Sequence, residues 1–268
     1  MKPLQESVLR KISNAGRSIV EMFGSIGRGK EWKYDYFREY LLALSRGDNF
    51  LLPRRDYKKR VRLDENWHDV LDTIRRESKD GVEKYSVIGV NKEKRAVFVR
   101  EVPLSGHADH VPVETIHLAV DEMERKVGAD LVVDIHSHPD WLLSGLWGDS
   151  KEVRRAAFSP GDLFRLIHKS QSHFVGVLVE GNENLFVFRT RGTERVDLNL
   201  VVLSQQTFTD YWLNYYGFRR FRLGSGTEVM TNQNKKITGW DVNVGIAERH
   251  KLVIYRGLSG GDLFRVVP

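Results

Sequence analysis

The stretch Leu131 to Asp140, LVVDIHSHPD, narrows the possible folds more than any other part of the chain. Its apolar residues run up to two histidines one residue apart, and a proline then stops the run. Read as a strand over Leu131 to His138, its side chains alternate between faces, so Leu131, Val133 and Ile135 share one side and His136 and His138 the other. The apolar side must be covered by a core. Two imidazoles on one face lie at a separation that a single divalent ion can bridge, and neutral imidazole is a preferred zinc ligand.

The surrounding pattern supplies that core. Asp64 caps a predicted helix to about Glu77, with Trp67, Val70, Leu71 and Ile74 on one face. EKYSVIGV and RAVFVREV read as strands around the turn Asn91 to Lys94. Val113 to Val127 reads as a helix ended by Gly128. After the histidine strand, Asp162 to His168 is predicted helical. Phe174 to Val179 and Leu185 to Arg189 then form a hairpin. The order α-β-β-α-β-α-β-β is that of an α/β domain with a mixed sheet built largely from hairpins. Upstream, helices are predicted over about Leu4 to Phe23 and Trp32 to Ser45, followed by a basic, solvated linker, Pro53 to Arg62. Downstream, a helix is predicted over about Leu200 to Tyr216, with short strands near Val242 and over Leu252 to Tyr255. The expected division is a helical N-terminal extension with linker (1–62), a catalytic domain (63–195) and a C-terminal extension packed on it (196–268).

Composition excludes several classes. Of 268 residues, 41% are hydrophobic, enough for a substantial core. No apolar run approaches the roughly 20 residues of a membrane-spanning helix, and the N-terminus lacks a signal-peptide pattern. There is no cysteine, which removes disulfides, thiolate metal sites and cysteine nucleophiles, and fits a cytoplasmic protein. The net charge of +6 permits an acidic partner without demanding nucleic acid.

A second segment, FSPGDLFRLI (Phe158 to Ile167), reads as a helix start, with Ser159 as N-cap, Pro160 at the first helical position and Asp162 in the first turn. A carboxylate held there is rigid and ionised, free to be a third ligand, and Ser159 can point its hydroxyl at a reacting group. Two histidines and a carboxylate with a vacant fourth position make a catalytic zinc arrangement. The base that such chemistry needs could be Glu83, Glu101, Glu114, Glu122 or Glu124. Glu83, at the start of an apolar strand, is favoured.

Glu83, then His136-Ser137-His138-Pro139, then Ser159-Pro160-Gly161-Asp162, together resemble the motif of the JAMM/MPN+ (JAB domain) metalloprotease family. These are zinc-dependent isopeptidases that remove ubiquitin-like proteins. The resemblance covers about Asp64 to Arg189. It implies a JAMM/MPN-like (cytidine-deaminase-like) α/β fold, with a mainly antiparallel sheet flanked by helices. It also implies zinc on His136, His138 and Asp162, Glu83 as general base, and Ser159 helping to stabilise the oxyanion. The implied partners are a ubiquitin-like protein or its conjugates, in the manner of a bacterial conjugation or antiviral system. The family commonly keeps only a short loop where this chain has the insertion 139–158. There Trp141, Leu142, Leu143, Leu146 and Trp147 either pack back on the domain or form an apolar lip that grips a substrate tail.

Other features compete with this reading. SGGDLFRVV (from Ser259) nearly copies SPGDLFRLI, offering Asp262 as a rival ligand. It also contains a formal G-x-S-x-G at Gly257 to Gly261, but no histidine follows to complete a triad. His107, His110 and His117 form a loose polar cluster, and Asp134 shares the face of His136 and His138 and could orient one of them. Two alternatives in function are a non-catalytic scaffold of the same fold, and a nucleic-acid-associated module using Arg54, Arg55, Lys58, Lys59 and Arg60 on phosphates.

Overall fold

The computed structural model describes residues 52–91, 96–99, 103–106, 111, 113–129, 131–138, 156–168, 173–193, 204–222, 228–232 and 237–267. They lie in the compact unit Tyr36–Pro268. The N-terminal helices predicted before Leu51, and Trp141, Leu142, Leu143, Leu146 and Trp147, lie outside the described residues, as do Glu101, His107 and His110.

The fold is α/β, a mixed and mostly antiparallel sheet with helices against both faces. Strand β1 (Arg60–Val61) precedes helix α1 (Glu65–Glu77), then come β2 (Lys84–Asn91), β3 (Ala96–Val99), β4 (Leu104–Ser105) and α2 (Val113–Val127). The histidine strand is β5 (Leu131–His138), followed by α3 (Pro160–His168), β6 (His173–Glu180) and β7 (Glu183–Phe188). The chain closes with α4 (Gln205–Tyr215), β8 (Phe218–Arg222), β9 (Glu228–Asn232), α5 (Gly239–Arg249), β10 (Val253–Leu258) and β11 (Leu263–Val267). The main sheet runs β1-β11-β10-β7-β6-β5-β2-β3, with β4 on the end of β2. Among its described pairings β5–β6 alone is parallel, joined by the α3 crossover, as a parallel pair requires.

Each face carries its own core. Trp67, Leu71 and Ile74 of α1 are buried against Ile88, Val133, Ile135, Val177 and Phe186. The Asp64 carboxylate starts this helix by accepting from Asn66 N at 3.2 Å. On the other face Leu163, Leu166 and Ile167 of α3 pack with Leu178, Leu185, Phe208, Trp212, Val242 and Ile246. Helix α2 lies along β2 beside Gly89, where an added Cβ would stand 3.0 Å from Ala129 Cβ. A strand covered on both sides needs apolar residues on both, hence the nearly unbroken apolar reading of β2, β6 and β7.

Several predicted elements are corrected. The segment around Val242 is the helix α5 rather than a strand. Thr238 and Asp241 cap it, with Thr238 N and Oγ1 donating to Asp241 Oδ2 at 2.7 and 2.9 Å. The basic stretch Pro53–Arg62 is partly built into the fold. Tyr57 and Val61 are buried, and Arg60 and Val61 pair with Phe264 and Leu263. The segment after Ser259 is the strand β11, and its partner β10 pairs with β7, so the last residues complete the sheet that carries the histidines. G-x-S-x-G therefore sits in a strand–turn–strand hairpin, with Ser259 Oγ donating to Asp72 Oδ1 at 2.8 Å.

Candidate metal centre

Strands β5 and β6 end side by side, and the candidate site lies at their carboxyl ends. This is where parallel strands leave a crevice beside the crossover helix. Alternation along β5 sends Val133, Ile135 and Ser137 toward α1 and Asp134, His136 and His138 toward α2 and α3. Tyr85 of β2 is level with His136, and Glu83, two residues before it, lies close enough for its charge to act on His138. Ser137 secures this arrangement from the opposite face, its buried Oγ accepting from Lys84 N at 3.0 Å. Glu83, itself buried, lines one crevice with Tyr85, Asp134, His136, Asp162 and Arg165. The crevice holds about 30 Å³ of solvent-sized space, room for one or two waters.

Helix α3 brings the third candidate ligand. Ser159 N donates to Asp162 Oδ2 at 3.0 Å and Asp162 N to Ser159 Oγ at 3.2 Å, a reciprocal cap that fixes the first turn. Ser159 Oγ also donates to Asp162 Oδ2 at 2.7 Å. Arg165, one turn on, pairs with the other oxygen, Asp162 Oδ1. The carboxylate thus turns Oδ2 toward the histidines, 3.5 Å from His136 Nε2 and 4.0 Å from His138 Nε2.

One potential ligand atom from each of His136, His138 and Asp162 lies within 4.8 Å of the others. Ligand atoms around a tetrahedral zinc ion at its usual bond lengths stand about 3.3 Å apart, so small shifts would close the set. His136 Nε2 is buried without a hydrogen-bond partner, an atom a metal would satisfy. The donor set, two imidazole nitrogens and a carboxylate, fits zinc.

Electrostatics agree with ligand roles. Burial lowers the pKa of His136, favouring the neutral ring that coordinates. Burial raises the Asp162 carboxyl, but its His136, Arg165 and His138 neighbours more than offset this and hold it well below the ordinary carboxylate range. Burial also pulls His138 down, yet the hydrogen bond and charge of Glu180 outweigh it and raise its pKa to about 9. A bound metal would displace that proton.

Three contributors are absent from the sequence reading. Glu180, the last residue of β6, is the Cα partner of His138 across the parallel pair, and its Oε2 lies 3.0 Å from His138 Nδ1. Arg165 belongs to the Asp162 helix at i+3, a spacing visible in the sequence. Asn243 of α5, fully buried, accepts from Phe158 N at 2.9 Å and donates to Phe158 O at 2.8 Å, clamping the residue before Ser159. Asp134 accepts from Tyr85 OH at 2.7 Å. Among the rivals, His117 is exposed, Glu122 pairs with Lys126, and Asp262 accepts from Arg60 Nε at 2.6 Å in the β10–β11 hairpin.

No known family, curated protein or solved structure matches the chain. The site therefore stands on its own geometry. No helix among the described residues is long and apolar enough to cross a membrane.

Proposed function

We propose that the chain is a zinc-dependent (iso)peptidase that cleaves a ubiquitin-like protein from its precursor or conjugates. The observation that carries the reading is the convergence of His136, His138 and Asp162, with the buried His136 Nε2 lacking a hydrogen-bond partner, beside a crevice that His136 and Asp162 line together with Glu83. A zinc ion held there would polarise the scissile carbonyl and acidify a water to a pKa of about 7. Glu83, buried in the crevice that His136 and Asp162 also line, takes the proton of the attacking water and returns it to the leaving amine. Ser159, once its hydroxyl turns from Asp162, donates to the oxygen on which negative charge develops. Arg165 helps keep Asp162 ionised and occupies Oδ1. Oδ2, which accepts from Ser159 N and faces the histidines, would be the oxygen a metal takes once the Ser159 hydroxyl turns away. The choice of a ubiquitin-like substrate rests on the resemblance of Glu83, His136-Ser137-His138-Pro139 and Ser159 to Asp162.

The test is cleavage of a ubiquitin-like fusion by the zinc-loaded protein and its Glu83→Gln variant. Glu83→Gln is expected to bind zinc at the unaltered stoichiometry and lose turnover by about 10²- to 10⁴-fold. Near-wild-type turnover in that variant would move the base elsewhere. Failure of the wild-type protein to cleave any such fusion while binding zinc would remove the substrate assignment.

A further inference from the structure

Three consecutive amides lead into the Asp162 helix, and each is held by a different side chain, two from the tip of the β6–β7 hairpin and one from α5. Ala156 N donates to Glu183 Oε2 at 2.8 Å, Ala157 N to Glu180 Oε2 at 3.3 Å, and Phe158 N to Asn243 Oδ1 at 2.9 Å. Of these anchors only Glu180 also touches a candidate ligand, because the same oxygen, Oε2, lies 3.0 Å from His138 Nδ1. Glu180 and His138 are both buried, and the β5–β6 register makes them Cα partners, so the contact is built into the sheet.

A carboxylate is an acceptor only, so the Nδ1 of His138 must be the donor. That fixes the ring orientation and turns Nε2 toward Asp162, 4.0 Å away. A carboxylate behind a coordinating histidine orients the ring and makes it a better ligand. Through Ala157, the same oxygen steadies the strap that delivers Ser159 and Asp162. We infer that Glu180 is the positioning residue of the metal centre, joining the histidine half of the ligand set to the carboxylate half through one buried oxygen. This rests on the metal-binding part of the proposed function and not on the substrate assignment.

The experiment compares Glu180→Ala, Glu180→Gln and Asn243→Ala in the full chain. One reading is the zinc dissociation constant by chelator competition. The other is the His138 Nδ1–H signal in long-range ¹H–¹⁵N spectra of the zinc-free protein. Glu180→Ala is expected to weaken zinc binding by about 10- to 100-fold and to lose the protected Nδ1–H proton. Glu180→Gln, whose carbonyl can accept both bonds, should keep that proton and lose less than tenfold in affinity. It also keeps the question answerable should the alanine variant not fold. Asn243→Ala loosens the strap alone and should retain the proton.

Wild-type zinc affinity in Glu180→Ala would overturn the inference. So would loss of the proton in Glu180→Gln, or an Asn243→Ala protein that binds zinc as weakly as Glu180→Ala with its proton intact. Should the wild-type chain bind no zinc, the metal reading fails. The Nδ1–H comparison would still report whether Glu180 fixes the ring.

Discussion

Replacing Asn243 by alanine probes how the last helix supports a site far away in sequence. The Asn243 side chain accepts from Phe158 N and donates to Phe158 O at 2.9 and 2.8 Å, with both residues buried. Truncation strands two backbone groups, each costing about 1–3 kcal/mol when buried and unmet. The vacated volume is small and polar, so a water that enters would recover part of this. The net destabilisation is on the order of 2–5 kcal/mol. For a domain of this size, 1 kcal/mol moves the melting temperature by about 2–4 °C. Differential scanning calorimetry of the zinc-free variant should therefore show a fall on the order of 5–20 °C. A shift below about 2 °C would mean that the Phe158 groups find other partners, and that α5 does not support the approach to Ser159.

Zinc-free stability should depend on His138. Its folded pKa, about 9, lies above the unfolded value of 6.5 because Glu180 outweighs burial. Its protonation thus stabilises the fold fully below pH 6.5, and that contribution, roughly 3 kcal/mol, is lost as pH rises to 9. His136, lowered by burial, acts oppositely, costing stability as pH falls below 6.5. Urea midpoints that rise between pH 6.5 and 9 would contradict this. Zinc affinity should climb over the same range by up to tenfold per pH unit as the His138 proton becomes easier to displace. Asp162→Asn should abolish zinc binding while Asp262→Asn leaves it intact, and the reverse outcome would put the ligand in the β10–β11 hairpin. Gly89→Ala should destabilise the fold by about 1–3 kcal/mol in denaturant titrations, since the new Cβ meets Ala129 at 3.0 Å. No change would show that α2 shifts freely.

The parts of the site legible in the sequence are those written in local pattern. Alternation placed His136 and His138 on one face of β5, and the Ser159–Pro160–Asp162 cap announced α3. What was not legible depends on which strands meet. Glu180 ends an ordinary apolar strand, and only the parallel pairing with β5 brings it to His138. Asn243 lies in a helix that the Thr238–Asp241 cap starts, and only the packing of α5 brings it to Phe158. The paired segments DLFRLI and DLFRVV show the limit most plainly. The first is helical because Ser159 and Pro160 start a helix. The second is a strand because Gly260, at φ +74°, turns the chain back along β10, where Val266 and Val267 suit an extended backbone. Local sequence is shared, and flanking residues with sheet pairing decide the outcome.

The most direct measurement is a crystal structure of the zinc-supplemented protein with anomalous diffraction recorded across the zinc edge. It should show one ion per chain within about 2.0–2.2 Å of His136 Nε2, His138 Nε2 and an Asp162 oxygen. An absent anomalous peak at full zinc supply, or a peak bound by other side chains, would contradict the metal centre.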